Sequence, residues 1–133
     1  MTVPRQYHTF QIHYLYKLFN YNDPNISAGT VTMDEKLPAN AIPLPLSVLV
    51  LTAFNAGTTN TLVLGDGTTA NRFALTTDTT LGTPAWYPNI KTNITRIGAT
   101  PVDVILNYAQ TGTAASAGQA LIVFPYIPDQ TVY

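Results

Sequence analysis

Clusters of Gly, Pro, Asn, Asp and Thr interrupt this chain about every ten residues, and the short stretches between them alternate as strands do. Ten prolines and eight glycines in 133 residues leave no convincing helical segment. Residues 8–19, "HTFQIHYLYKLF", place Phe10, Ile12, Tyr14 and Tyr16 in line with His8 on one face, with Thr9, Gln11, His13 and Lys17 on the other. "NYNDPN" (20–25) is a turn in which Pro24 keeps Asp23 out of the helical region. "TVTM" (30–33) is a short strand, and "KLPANAIPLP" (36–45) an irregular lead-in demoted by its three prolines. In "SVLVLTAFN" (47–55) both faces are apolar, which predicts a central strand buried on both sides; Pro45 and Asn55-Ala56-Gly57 limit a rival helix there to about two turns. Further strands are expected over 61–64, 72–76, 92–97, 102–108 and 120–126, the last again in the middle of a sheet. The sum is an all-β chain of about eight strands: a single antiparallel β-sandwich of jelly-roll type over residues 8–133, behind a flexible arm at 1–7.

Gly65-Asp66-Gly67 sits where a hairpin corner belongs, with Asp-Gly supplying the positive φ, so Gly67 is the residue expected to resist substitution. Read as a calcium loop, the segment lacks carboxylates at alternate positions, since Thr68, Thr69 and Asn71 follow. It also lacks the lysine of a phosphate-binding loop.

Composition limits the function. Only 10% of the chain is charged while 46% is apolar, so hydroxyls, amides, backbone or other protein must cover the surface. A formal net charge of -1, with Arg5, Lys17, Lys36, Arg72, Lys91 and Arg96 scattered, argues against nucleic acid, which calls for cations gathered on one face. No cysteine is present, which removes disulfides, thiolate metal sites and a Cys nucleophile. The start, Met1-Thr2-Val3-Pro4-Arg5, has no apolar leader, and the apolar run 44–54 is short and broken by Pro45, Ser47 and Thr52, so neither export nor a membrane partner is expected.

A catalytic constellation is not found. His8 and His13 are an odd number of residues apart and point to opposite faces of a strand, so they do not chelate one metal. No nucleophile elbow surrounds Ser27, Ser47 or Ser116, and the adjacent Asp34 and Glu35 diverge. The expectation is no enzyme, no cofactor and no metal. Trp86 and Tyr87, between Pro84 and Pro88, read either as a sugar-stacking platform, and hence a carbohydrate-binding module, or as an interface anchor. Eight tyrosines in a charge-poor chain favour self-association, because Tyr buries a large face at low entropy cost. The expected interface residues are Pro4, Arg5, Tyr7, Tyr14, Tyr16, Trp86, Tyr87, Tyr126 and Tyr133.

Two stretches, "KLPANAIPLPLSVLVLTAFNAGTTNTLVLGDGTTANRFA" (36–74) and "GTAASAGQALIVFPYI" (112–127), carry a family resemblance. They resemble small virion proteins of tailed bacteriophages, in which a Leu-Pro-x-x-Ala lead-in, an apolar strand, Phe-Asn-x-Gly-Thr-x-Asn-Thr-Leu and a late Gly-Thr-x-Ala-x-x-Gly-x-Ala recur. The resemblance covers roughly two thirds of the chain. It implies a decoration or cement protein on the outer face of the capsid, commonly a homotrimer, whose partners are the major capsid protein and itself. That would place it in the virion after synthesis in the host bacterial cytoplasm. A tail, neck or fibre component is the alternative within the virion. The tyrosine-rich first 35 residues depart from the family pattern.

Overall fold

The computed structural model of the protein describes residues 12–91 and 94–128. They contain the strands β1 (His13–Asn20), β2 (Val31–Thr32), β3 (Ile42–Pro43), β4 (Leu46–Thr52), β5 (Thr59–Gly65), β6 (Trp86–Ile90), β7 (Ile105–Thr111) and β8 (Gln119–Ile127), with a 3-10 turn at Ile26–Ala28 and no α-helix among the described residues. The larger sheet runs β1-β8-β4-β6, with β3 also on β8; the smaller runs β2-β7-β5. Every pairing is antiparallel. The pairs β1 with β8, β2 with β7 and β4 with β6 are those of one long antiparallel ribbon wrapped on itself. A fourth pair is reduced to the bridge Leu64↔Ala74. This is the winding of a jelly roll, and the expected β-sandwich is present.

Strand β8 is the spine. It pairs with β1 from His13↔Tyr126 to Asn20↔Gln119 and with β4 from Ser47↔Val123 to Thr52↔Gln119. Its period-two alternation sends Ala120, Ile122, Phe124 and Tyr126 inward, all buried, and leaves Leu121, Val123, Pro125 and Ile127 half-buried on the outer face. Directly opposed residues share a face, so β8 dictates the orientation of its neighbours. Leu15 and Phe19 on β1 and Leu46, Val48 and Val50 on β4 join the core. Leu62, Leu64, Leu106 and Tyr108 meet them from the smaller sheet. Burying each such side chain contributes about 1.5 to 3 kcal/mol before conformational entropy is charged against it.

Several expectations need correction. Residues 8–11 lie outside the described set, as does the arm at 1–7. Within β1 the side of Tyr14 and Tyr16, both expected as interface residues, faces out and the side carrying Lys17 faces in, because Leu15 lies opposite Phe124 while Tyr14 lies opposite Pro125. Strand β4 is central but buried on one side only; after the register shift between Val50 and Thr52, Leu51 stands 47% exposed. No strand forms over 72–76. The Leu75 amide donates to the Asp78 carboxylate at 2.7 Å and the Asp78 amide to the Leu75 carbonyl at 3.1 Å, closing that segment into a turn. The described part of 92–97 is also not strand, and the pairing with β4 falls instead to β6. Pro88 is tolerated there because β6 is an edge strand, and the shift in register between Leu46 and Val48 is taken up at Asn89, whose φ is 60°.

Gly67 does not carry the corner. No positive φ is found there and open space surrounds it. The steric demand belongs to Gly65, where a Cβ would run into the backbone of Thr69 and Ala70, and to Gly118, whose φ of 150° lets the Phe54 ring lie directly on its backbone. Gly118→Ala is therefore expected to cost about 2 to 4 kcal/mol, while Gly67→Ala stays within about 0.5 kcal/mol of the parent. Urea unfolding of the two variants checks this ordering.

Candidate interaction surface

The outer face of the larger sheet follows from the register. Leu18 lies opposite Leu121, Leu121 opposite Leu49, and Leu49 opposite Trp86, so one unbroken apolar row crosses all four strands. Beside it Tyr16 opposes Val123, and Tyr14 opposes Pro125. Ile42 on β3 lies opposite Ile127 at the far end. The protrusions of this surface are Tyr14, Tyr16 and Trp86, 62%, 66% and 65% exposed, with Ile12, Leu18 and Leu51 about half exposed. No outward-facing residue of these strands is charged among the described residues, and the carboxylates Asp34 and Glu35 adjoin the face at its rim beside Tyr14 and Tyr16.

The sequence-expected interface residues divide accordingly. Tyr14, Tyr16 and Trp86 are brought together on one surface. Pro4, Arg5, Tyr7 and Tyr133 lie outside the described residues. Tyr126 points into the sandwich and is 7% exposed, its ring 5.7 Å from that of His13; burial, with the nearby Glu35 charge, pushes its phenol pKa up. Tyr87 points away from Trp86, packs against the core and donates its hydroxyl to the Thr80 and Thr83 carbonyls at 2.9 and 3.1 Å. Successive residues of a strand face opposite ways, so Trp86 and Tyr87 make no shared sugar platform. Leu18, Leu51, Ile12 and Ile42 were not among the expected contacts. Leu18 was legible, since it continues the two-residue spacing of Tyr14 and Tyr16. Leu51 keeps the spacing of Ser47 and Leu49, but both faces of that stretch read as buried in the sequence.

Elsewhere the surface offers little chemistry. Among the described residues no three His, Asp or Glu side chains come together as a metal cluster. The groove lined by Tyr14, Leu15, Tyr16, Asp34 and Glu35 encloses about 170 Å³, below the roughly 300 to 1,000 Å³ of small-molecule sites. Beside it Lys17 pairs with Asp34 at 3.2 Å.

The Asp66 corner is a closed structural unit. One carboxylate oxygen accepts the Thr68 and Thr69 amides at 2.8 and 2.6 Å, and the other accepts Arg72 at 2.8 Å. Arg72 also donates to the Thr95 hydroxyl at 3.2 Å and lies over the Phe73 ring, 5.0 Å from its centroid. Burial alone would raise the Asp66 pKa, but the Thr69 amide, the Arg72 guanidinium and the Thr68 amide outweigh it and hold the carboxyl below its ordinary value. Its lone pairs are committed to tying the end of β5 to the segment 68–72.

No protein-family model matches the sequence, and none of the curated proteins does. The tertiary structure does find a counterpart. A chain solved as "Cyanophage Pam1 capsid asymmetric unit" superposes with a TM-score of 0.72 at 20% identity, covering 96% of this chain and 92% of that one. The two share a fold. The correspondence extends over nearly the whole of both chains, so the sandwich is a common framework and not a local motif.

The Asp66 corner yields a pH prediction. A carboxyl whose folded pKa is depressed contributes stability that is fully present above the unfolded value, about 3.9, and is lost as pH falls through the lower folded one. Asp66→Asn, which keeps shape but not charge, is expected to cost about 1 to 3 kcal/mol at neutral pH, with the difference from the parent shrinking below about pH 4. Thermal unfolding of both proteins across that range checks it, and an unchanged difference at low pH would show that the charge plays no part.

Proposed function

We propose that this protein is a non-enzymatic structural component of a tailed-phage virion, a decoration or cement protein held on the outer surface of the capsid. The observation that carries the reading is the end-to-end fold correspondence with a chain from a cyanophage capsid asymmetric unit. The resemblance of residues 36–74 and 112–127 to small phage virion proteins points the same way. The surface fits such a role: a rigid sandwich presents a broad, uncharged, aromatic-studded face and small grooves, which suits shape-based protein contact better than turnover.

In this reading the partner is the major capsid protein, and the protein acts as a homo-oligomer, a trimer in the form the resemblance implies. A shell repeats one site many times, and an oligomer engages several subunits at once, so modest individual contacts multiply into stable attachment. A tail or neck location would use the same fold with other partners. Glycan binding by Trp86 and Tyr87 is disfavoured by their opposite orientations.

The test is reconstitution. Purified protein added to shells lacking it is expected to bind saturably, to appear as repeated density on the outside of the head, and to raise the temperature at which the shells open. Because three engaged copies compound their losses, a variant weakened by about 1.4 kcal/mol per copy should bind up to roughly a thousandfold less tightly. Density confined to the tail or neck, with bare heads, would assign the protein there instead.

A further inference from the structure

The outer face of the larger sheet is exposed, yet it has the make-up of a buried surface. The row Leu18, Leu121, Leu49, Trp86 is apolar from one edge of the sheet to the other, and Tyr14 and Tyr16 widen it. Isolated monomers seldom expose an apolar patch larger than a few hundred Å². At the exposures found, the seven large apolar side chains of this face leave on the order of 800 Å² accessible, which is one partner's share of a standard interface.

We propose that a second copy of this chain covers this face, sheet against sheet, a self-complementary contact that pairs copies about a two-fold axis and is therefore additional to the three-fold contact the resemblance implies. This deepens the reading of the face as a protein-contact surface by naming its occupant. The area is sufficient for a stable contact between copies. The strands of this face carry no charged side chain on it among the described residues, and the nearby carboxylates Asp34 and Glu35 lie at its rim beside Tyr14 and Tyr16, so its apolar centre meets another copy of itself without repulsion; a net charge of only -1 places no long-range barrier between copies. The contact runs through the face and not the free edge of β1. Lys17 projects from β1 toward the interior side of the sheet and is held by Asp34 at 3.2 Å, and such an inward charge on an edge strand opposes edge-to-edge pairing. Two sheets packed face to face stand about 10 Å apart, a gap that Tyr14, Tyr16 and Trp86 are long enough to fill.

The measurement is sedimentation of the full chain at micromolar concentration, for the parent and for Tyr16→Glu and Trp86→Ser, which probe opposite sides of the face. Both positions are about two thirds exposed, so folded variants are expected, with far-UV dichroism and melting temperature as the check. The parent should sediment as a multiple of its 14.4 kDa mass, and each variant should associate at least roughly tenfold more weakly. If one variant fails to fold, the other carries the test. A parent that is monomeric throughout overturns the proposal, as does an oligomer indifferent to both substitutions. A monomer whose binding to undecorated shells is abolished by the two substitutions also overturns it and gives the face to the capsid. Failure of the decoration reading is separate: an oligomer that depends on this face but never binds shells supports the present inference and removes the former.

Discussion

The larger sheet is anchored at one end by the contact of the Phe54 ring with the backbone of Gly118. Phe54 follows β4, and its ring lies 5.5 Å from Phe19 of β1 and 5.0 Å from Tyr108 of β7, so three fully buried aromatics link the larger sheet to the smaller one. Gly118 immediately precedes β8, and its φ of 150° allows the ring to sit where any side chain would collide. The spine strand therefore begins at a point fixed against the core. Around this contact the loops are tied by amides: Asn55 accepts the Ser116 and Ala117 amides at 2.8 and 3.0 Å, and the Tyr108 hydroxyl donates to Asn60 at 2.6 Å. These bonds satisfy polar groups that burial would otherwise leave costly.

From that anchor the arrangement of surfaces follows. Because β8 starts at a fixed place and alternates strictly, one set of its side chains fills the sandwich and the other set tiles the outer face. Both of its neighbours inherit this alternation through direct pairing. An apolar outer face is thus the consequence of a spine that is apolar on both sides, combined with a fold that covers only one of them. A solitary sandwich gains nothing from Leu121, Val123 and Leu49 facing outward, whereas an assembling one does. The same logic explains why the charge-poor composition is compatible with an ordered molecule. The best-buried ionic contact, Asp66 with Arg72, closes a turn, and the more exposed pair of Lys17 with Asp34 lies on the edge strand β1.

The fold was legible in the sequence where turn chemistry and alternation agree. Strands 61–64 and 120–126 and the turn at Asp23-Pro24 each carry a local signal strong enough to stand alone, and β5 and β8 occupy the first two. The segment 72–76 misleads because Phe73 and Ala74 are buried like strand residues but reach the core from a turn that Asp78 closes. Trp86–Ile90 is missed because Pro88 reads as a strand breaker, and only a place at the sheet edge makes it harmless.

The class of the molecule is a local property: period-two stretches broken by Gly, Pro and Asx turns predict strands and not helices, and the scarcity of charge leaves hydroxyls, amides, backbone or other protein to cover the surface. Which side of each strand faces the core is settled at the tertiary level. Tyr14 and Tyr16 alternate with Leu15 and Lys17, and both sets are plausible core residues in isolation. The outcome is set by the pairing of Leu15 with Phe124, a residue more than a hundred positions away, while no second layer among the described residues covers the opposite face. A strand's own alternation defines two faces; long-range register, which no local pattern encodes, assigns one of them to the core and leaves the other outside it.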